Sequence, residues 1–399
     1  MKKFICFLIL LVMMTVFTSC LPGNINLKRP VKKPDEKTGS EGLRGNDMFS
    51  VRLADILYRN KEGNVLVSDI SIKMALSMCL EGADGDTKDE LLSYFGTDDI
   101  SEVEDIMAGL LLRQEDSRDL KLILSNMMLY NDDIVLKDGY IKGLEEYLGI
   151  KPEKRKMATD KTVQYINDSV KKNTNGLIDR VVTLDDLRDA KALMMNTLYF
   201  KGIWVEPVED TEYTDVFHGF KDDKDVTYYS DMVGTYYEND KAVAFAKEYK
   251  GGYKFIGILP KEEGDFELSD LDIEELLSSG TDEYLVNVRL PKLDIRYGGD
   301  ITEQMKEDGL SLCFDPEKAD LSNMSDHPVA LKKMIHKTRL ILDGEGTEAA
   351  AVTVIIAEDT AAMPEEKEIK RVYLDRPFAF LICSDDESTA LFTGKIVEP

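Results

Sequence analysis

The chain has 399 residues, 43% hydrophobic and 32% charged, so it can bury a large core as one large or two ordinary domains. This composition excludes a disordered chain and a membrane-embedded one. The 76 acidic and 50 basic residues give a net charge of −26, which repels nucleic acid, heparin-like polyanions and anionic lipid. We therefore expect no nucleic-acid partner.

The first twenty residues have the pattern of a targeting segment. Lys2 and Lys3 precede an apolar run over 4–17 that is too short for a permanent transmembrane helix. The run ends in Phe-Thr-Ser-Cys20, which resembles a bacterial lipobox, where the cysteine is lipidated and becomes the first mature residue. Phe17 departs from the usual leucine, so plain secretion is the alternative. We expect an extracellular protein that is either lipid-anchored at the cell surface or secreted.

Residues 21–45 are rich in Pro, Gly, Lys and Glu and lack apolar periodicity, which is typical of a flexible tether. From residue 46 to residue 399 no internal repeat and no linker divides the chain. The prediction is a signal segment over 1–20, a tether over 21–45 and one folded domain over 46–399.

The domain begins with helical spacing over 46–58, followed by a short strand that leads through Ser68 into a helix whose start Asp69 is expected to cap. A strand is predicted over 120–130. A helix with a glycine stop is predicted within 165–180. The continuous apolar run over 192–204, which ends at the only tryptophan of the chain, predicts a central strand buried on both faces.

The sequence of the segment from Gly344 to Glu358 is compatible with two conformations. Read as a strand, one face carries Thr347, Ala349, Ala351 and Thr353, which are small and uncharged. The two glycines before it, Gly344 and Gly346, permit unusual backbone rotation, and the residues after it are small or polar, as at a protease-accessible loop tip. The segment is suited to be a loop in one state and a central strand in another. The alternative is an ordinary half-buried strand or an alanine-rich helix.

The cysteines and histidines predict no metal site. The three cysteines outside the signal, Cys79, Cys313 and Cys383, have apolar neighbours and are expected to be buried free thiols. The three histidines lie far apart without zinc-binding spacing.

Several motifs together resemble those of the serpin family. The matching runs, in chain order, are Glu-Gly-Ala-Asp-Gly-Asp-Thr from Glu81, Ile-Asn from Ile166 with Thr-Asn-Gly-Leu-Ile from Thr174, Asn-Thr-Leu-Tyr-Phe-Lys-Gly-Ile-Trp ending at Trp204, Leu-Pro-Lys-Leu from Leu290, Phe-Asp-Pro-Glu-Lys-Ala-Asp-Leu-Ser from Phe314, and Gly-Thr-Glu-Ala-Ala-Ala from Gly346. Two departures are Ser169, where the family has tryptophan, and Gly344, where it usually has glutamate. The latter is expected to loosen the hinge without blocking it.

The resemblance implies an α+β fold of one domain, with three β-sheets, surrounding helices and an exposed reactive-centre loop over about 344–368. It implies suicide inhibition of extracellular serine proteases: the protease cleaves the loop, forms an acyl-enzyme, and is trapped when the loop inserts into the central sheet. Trp204 and His336 are then expected in the loop-entry region, and the inhibitory hinge comprises six consecutive residues: Gly346, Thr347, Glu348, Ala349, Ala350 and Ala351.

Counting forward from the hinge, as the family pattern directs, puts the cleaved bond between Thr360 and Ala361, with Asp359 and Ala362 as neighbouring alternatives. A backward count from the C-terminal motif gives a bond near Glu366. The small side chains at the preferred bond favour an elastase-like protease.

The chain has no expected catalytic residue or cofactor, because no nucleophile elbow, phosphate loop or zinc helix is present. The partner is expected to be a serine protease held covalently by a monomeric inhibitor whose only membrane contact is an N-terminal lipid anchor. The alternatives are inhibition of cysteine proteases, a non-inhibitory serpin-fold binding protein, and a surface lipoprotein that binds carbohydrate or peptide.

Overall fold

A computed structural model describes residues 47–61, 63–208, 212–347, 367–387 and 389–399. The predicted strand over 120–130 and the predicted helix at the start of the domain are both present. The helices in the described residues are α1 (Asp47–Lys61), α2 (Asp69–Leu80), α3 (Gly85–Phe95), α4 (Ile100–Leu112), α5 (Asp138–Tyr147), α6 (Asp160–Asn173), α7 (Leu184–Leu187), α8 (Ile273–Ser278) and α9 (Thr302–Glu307), with 3₁₀ turns at Leu268–Leu271 and Leu312–Phe314.

Seventeen strands occur within the same ranges. They are β1 (Val65–Val67), β2 (Glu115–Asp116), β3 (Leu120–Tyr130), β4 (Glu153–Lys154), β5 (Ala192–Ile203), β6 (Tyr213–His218), β7 (Asp223–Val233), β8 (Thr235–Glu238), β9 (Ala242–Tyr249), β10 (Tyr253–Pro260), β11 (Leu285–Pro291), β12 (Leu293–Asp300), β13 (Ile335–Leu342), β14 (Gly346–Thr347), β15 (Ile369–Tyr373), β16 (Phe378–Ser384) and β17 (Ala390–Ile396).

The strands form three sheets. The largest has the order β12-β13-β14-β5-β3, with β2 and β4 both paired to β3. A six-stranded sheet has the order β1-β17-β16-β10-β9-β8, and a four-stranded sheet has the order β15-β11-β7-β6. The prediction of a single α+β domain with three sheets and surrounding helices is confirmed. The predicted central strand over 192–204 is β5, which pairs with β3 over residues 192–202.

One continuous core lies between the sheets and the helices, and a smaller one lies under α6. The smaller core joins Ile166 and Val170 of α6 to Leu129 of β3 and Met195 of β5. Helix α6 therefore covers the outer face of the large sheet. Its apolar residues at i and i+4 spacing explain why this amphipathic segment folds as a surface helix.

The start of α2 corrects one expectation. Ser68, not Asp69, is the N-cap, because its side chain accepts the hydrogen bond of the Ser71 backbone N–H. Asp69 is buried in the first turn and forms an ion pair with Lys73 at 2.7 Å. Burial raises the pKa of the Asp69 carboxyl, while the ammonium beside it opposes that shift.

The three described cysteines are buried free thiols, as predicted. Hydrogen bonding to Cys79, together with burial, raises the pKa of the Cys313 thiol, so the sulfur of Cys313 stays protonated and unreactive. No helix of the described ranges is long and apolar enough to cross a membrane.

Candidate functional site

The chain reverses direction between β13 and β14 through a two-residue turn. Asp343 and Gly346 exchange backbone hydrogen bonds of 2.9 and 3.3 Å across Gly344 and Glu345. The Asp343 carboxylate also accepts the N–H groups of Glu345 (3.0 Å) and Gly346 (3.2 Å). Such an Asp-anchored turn fixes the register of the strand that follows, because hairpin register is set by the turn.

Gly346 is required by this geometry. Its φ is +150°, and a Cβ placed there would lie 2.0 Å from the carbonyl oxygen of Gly202 on β5. Residues other than glycine meet both a backbone clash and an unfavourable torsion at this position. The glycine that the sequence places before the predicted strand thus serves close strand packing as well as the turn.

Thr347 is the last described residue of the hinge, and its side chain is buried. It pairs with Gly202 of β5 and with Leu342 of β13, so the two-residue strand β14 lies between β5 and β13. Its hydroxyl lies 2.7 Å from the hydroxyl of Tyr249, which comes from β9 in the six-stranded sheet. Burial raises the pKa of the Tyr249 phenol far above its usual value, so this hydrogen bond joins two neutral groups.

Trp204 holds the turn from the side of β5. Its backbone N–H donates to the Glu345 carbonyl (3.0 Å) and its indole Nε1–H donates to the Asp343 carbonyl (3.1 Å). The indole is fully buried and stacks on Tyr249, with ring centroids 4.1 Å apart and planes at 14°. Lys247 Nζ lies 5.2 Å from the indole ring. Stacked aromatic pairs and a buried indole donor make this end of the turn rigid.

Below β14, β5 and β13 are not paired with each other in the described part of the chain, and we name the region between them the slot. It is bounded by residues 192–201 of β5 and residues 335–341 of β13. On their outer sides β5 pairs with β3 and β13 pairs with β12, whereas no ladder between β5 and β13 occurs in the described residues. Each strand therefore has one edge that pairs with no other described strand over this length, and such an edge is the kind that accepts a further strand.

The far end of the slot is attached to the start of α2 on both sides. The Ser68 backbone N–H donates to His336 Nε2 on β13 (3.2 Å), and the Ser71 hydroxyl donates to Asn196 Oδ1 on β5 (2.6 Å). The amide of Asn196 in turn donates to Asn126 Oδ1 at 2.8 Å. Burial lowers the pKa of His336 to about 4, so the imidazole is neutral and acts as an acceptor.

The structure brings Gly346, Thr347 and Trp204 together but separates them from His336. His336 lies six residues from Leu342 along β13, which is roughly 20 Å from the turn at strand rise. The grouping of Trp204 with His336 in one region is thus corrected: Trp204 lies at the turn before β14, and His336 lies at the far end of the slot.

The remaining predicted site residues lie outside the described residues. They are the lipidation residue Cys20, the hinge residues Glu348, Ala349, Ala350 and Ala351, and the reactive-bond residues Asp359, Thr360, Ala361 and Ala362. Sequence reasoning missed Asp343 and Tyr249. The Asp-Gly pair at Asp343 was a usable turn signal, whereas nothing near Tyr249 in sequence indicates a hinge contact.

Comparison with known proteins identifies the family. The family model described as "Serpin (serine protease inhibitor)" matches residues 44–399. The chain belongs to the serpin family.

Known serpins of animals are similar along nearly their whole length. Leukocyte elastase inhibitor A of Mus musculus is 28% identical over 378 residues, covering 89% of this chain and 98% of that protein. Alpha-1-antiproteinase 2 of Equus caballus is 28% identical over 363 residues, covering 86% of this chain and 83% of its own. These relatives are named as protease inhibitors and not as enzymes.

Solved serpin structures share the fold. The thermophilic serpin tengpin in its native state has a TM-score of 0.80 at 25% identity, covering 93% of this chain and 97% of its own. The cleaved serpin 42Da has a TM-score of 0.75 at 20% identity, covering 89% of this chain and 99% of its own. At that identity the similarity shows a shared fold and nothing about activity. The family and fold that the sequence motifs predicted are confirmed.

Proposed function

We propose that this serpin inhibits extracellular serine proteases by inserting its cleaved loop as a strand into the slot. The observation that carries the proposal is the position of β14 at one end of the slot, where Gly346 and Thr347 pair with β5 and Thr347 also pairs with β13. The names of the relatives support protease inhibition as the general activity.

The register of Thr347 predicts how far the inserted strand would extend. Continuing the pairing that sets Thr347 opposite Leu342 places residue 354 opposite Ile335, the first residue of β13. On the other side, continuing from the pairing of Thr347 with Gly202 places residue 357 opposite Ala192. Seven residues, 348 to 354, would thus complete ladders on both sides of the slot.

The side chains on the inner face suit this entry. Residues that lie directly opposite one another in a sheet share a face, so Ala349 would lie between Phe200 and Leu340, and Ala351 would follow on the same face. Phe200 and Leu340 are buried, so a side chain that enters between them is buried as well and is required to be apolar. The alanines meet that requirement, whereas a charge there would have to be buried without a partner.

Thr353 would reach the polar far end of the slot. The same register places it between Asn196 and His336, whose side chains are tied to the start of α2 by the hydrogen bonds described above. A hydroxyl both donates and accepts, so it can satisfy such polar neighbours in a buried site. This match of a polar residue to a polar level of the slot supports the proposed register.

The chemistry is supplied by the protease. Its serine oxygen attacks the carbonyl carbon of the loop residue at the cleaved bond, proposed as Thr360. The Thr360–Ala361 peptide bond breaks, an ester to the protease forms, and Ala361 leaves as a new amino terminus. Insertion of seven residues adds about 14 backbone hydrogen bonds at about 1 kcal/mol net each, on the order of 10 kcal/mol, which is enough to drive the transition.

The test combines the chain lacking residues 1–20 with an elastase-like serine protease and examines denaturing gels. A complex that survives denaturation is expected, together with a released peptide that begins at Ala361. Ala349→Arg is expected to abolish the complex while leaving cleavage intact, because it puts a charge on the inner face. The matched control Glu348→Arg keeps a charged residue on the outer face and is expected to retain the complex.

Clean cleavage of the unaltered chain without a complex would contradict the inhibitory mechanism and favour a non-inhibitory binding protein. Equal behaviour of Ala349→Arg and Glu348→Arg would contradict the register. A stable complex with a papain-like cysteine protease and none with serine proteases would reassign the target class.

The proposed location is the cell exterior, through a lipid on Cys20 after removal of the preceding signal. The lipobox-like run before Cys20 supports it. Metabolic labelling with a radioactive fatty acid is expected to mark the protein and to fail for Cys20→Ala. Labelling of neither protein, with both found in the medium, would indicate plain secretion.

A further inference from the structure

Between α6 and the outer face of β3 lies a cleft of about 240 Å³. It opens where Ser169 stands in place of the tryptophan that serpins usually carry. Tyr165, Ser169 and Asn173 lie four residues apart on α6, so their side chains share one face of the helix, and all three line the cleft. The small side chain in the middle of this row leaves space between its two neighbours.

Part of the floor of the cleft is apolar. Ile123 and Met127 alternate along β3 and therefore point to the same face of the sheet, towards α6, and Ile150 closes one end. Between them stands Ser125, whose hydroxyl oxygen accepts the hydrogen bond of Asn173 Nδ2 at 2.6 Å. An apolar floor with a few polar groups is the usual lining of a small-molecule site.

The polar groups at the mouth favour negative charge. Lys151 and Lys172 both line the cleft, both are exposed, and neither forms an ion pair within the described part of the chain. The Ser169 hydroxyl likewise has no hydrogen-bond partner there. The one acid of the lining, Glu153, is neutralised by Arg155 at 2.9 Å and accepts the Tyr165 hydroxyl at 2.9 Å.

The charge at this mouth is opposite to that of the protein as a whole. Lys151, Lys172 and Arg155 against Glu153 give a local charge of +2 (three positive, one negative), whereas the full chain carries −26. Because the rest of the molecule repels anions, an anion that binds must do so where positive charge and donors are concentrated. Two ammonium groups and a hydroxyl donor above an apolar floor meet that condition.

We propose that this cleft binds a small organic anion, a carboxylate or sulfonate carried on an aromatic or short alkyl group. The apolar group lies against Ile123 and Met127 beside Ser169, and the anionic group lies between Lys151 and Lys172. At about 240 Å³ the cleft is smaller than the roughly 300–1,000 Å³ typical of drug-sized sites, so the ligand has one or two rings or a short chain in the cleft. None of the residues that line the cleft belongs to the slot or to the predicted hinge.

The test is a titration of the intact protein with 8-anilinonaphthalene-1-sulfonate, in which the fluorescence of the dye is measured. One saturable site per chain is expected. Lys151→Gln/Lys172→Gln is expected to weaken binding roughly fivefold, since exposed charge pairs each contribute a small factor. The matched control Lys156→Gln/Lys171→Gln removes the same charge from exposed lysines outside the cleft and is expected to change the affinity less than about twofold.

Two further measurements distinguish the contribution of the lysine charges from that of the open volume beside Ser169. Ser169→Phe fills the cleft and is expected to abolish the site. N-phenyl-1-naphthylamine, which lacks the sulfonate, is expected to bind more weakly and to be insensitive to the lysine changes. Unchanged binding in both Ser169→Phe and Lys151→Gln/Lys172→Gln would overturn the proposal, as would equal weakening in the two double-lysine variants.

Discussion

The hydrogen bond between Thr347 and Tyr249 joins the hinge to the six-stranded sheet, and its removal has a defined cost. Thr347→Val keeps the shape of the side chain but leaves the buried Tyr249 hydroxyl without its 2.7 Å partner. An unsatisfied buried hydroxyl costs about 1–3 kcal/mol. Tyr249→Phe leaves the Thr347 hydroxyl unsatisfied at a similar cost. Removing both hydroxyls leaves no unsatisfied polar group. The double variant is therefore expected to lower the free energy of unfolding little more than either single variant does.

The expected coupling is about 1–2 kcal/mol, measured by a double-mutant cycle. For a loss of about 2 kcal/mol and a guanidinium slope of about 3–6 kcal/mol/M, the unfolding midpoint falls by roughly 0.3–0.7 M. Trp204 is the only tryptophan of the chain and stacks on Tyr249, so its fluorescence reports unfolding at the hinge itself. The readout must be shown to be reversible before free energies are taken from it.

A matched control uses Thr338, whose buried hydroxyl donates to the Leu66 carbonyl at 2.8 Å. Thr338→Val is expected to destabilise by a comparable amount, but its effect should add to that of Tyr249→Phe without coupling. Strict additivity of Thr347→Val and Tyr249→Phe would refute the reasoning, because it would mean that the two hydroxyls do not satisfy each other.

Other predictions concern the polar groups and the turn. The pKa of His336 is about 4 in the folded protein and 6.5 in the unfolded chain. The contribution of the neutral imidazole to the free energy of unfolding is therefore complete above pH 6.5 and is lost as pH falls towards 4. Between pH 7.5 and 5.5 the loss is about 1 kcal/mol, and urea unfolding of His336→Gln should show a flatter pH profile. Asp69→Ala should cost about 3–5 kcal/mol because Lys73 stays buried without its partner, and adding Lys73→Met should restore much of it; equal midpoints for the single and double variants would exclude this account. Gly346→Ala should lower the thermal midpoint by several degrees, given the backbone clash at 2.0 Å, and an unchanged midpoint would mean that the turn adapts.

Local patterns in the sequence determined several parts of this molecule. The run over 120–130, rich in Leu, Ile and Met, and the apolar run over 192–204 correspond to β3 and β5, because strands that are buried in a sheet require apolar residues, which are visible in the sequence itself. The inward direction expected for Thr347 agrees with its burial, since strand register follows from the alternation of side chains along a strand. The glycine at position 346 indicated an unusual backbone, which its φ of +150° shows.

Only the tertiary structure decided which distant groups meet. Tyr249 is 98 residues from Thr347 and belongs to another sheet, so no local pattern links their hydroxyls. The slot exists because β5 pairs with β3 and β13 pairs with β12. His336 lies at its far end because β13 begins there and extends to the turn. The cleft beside Ser169 likewise requires α6 and β3 to be packed together. Periodicity records which side of an element is buried, whereas the neighbour on that side is set by chain topology.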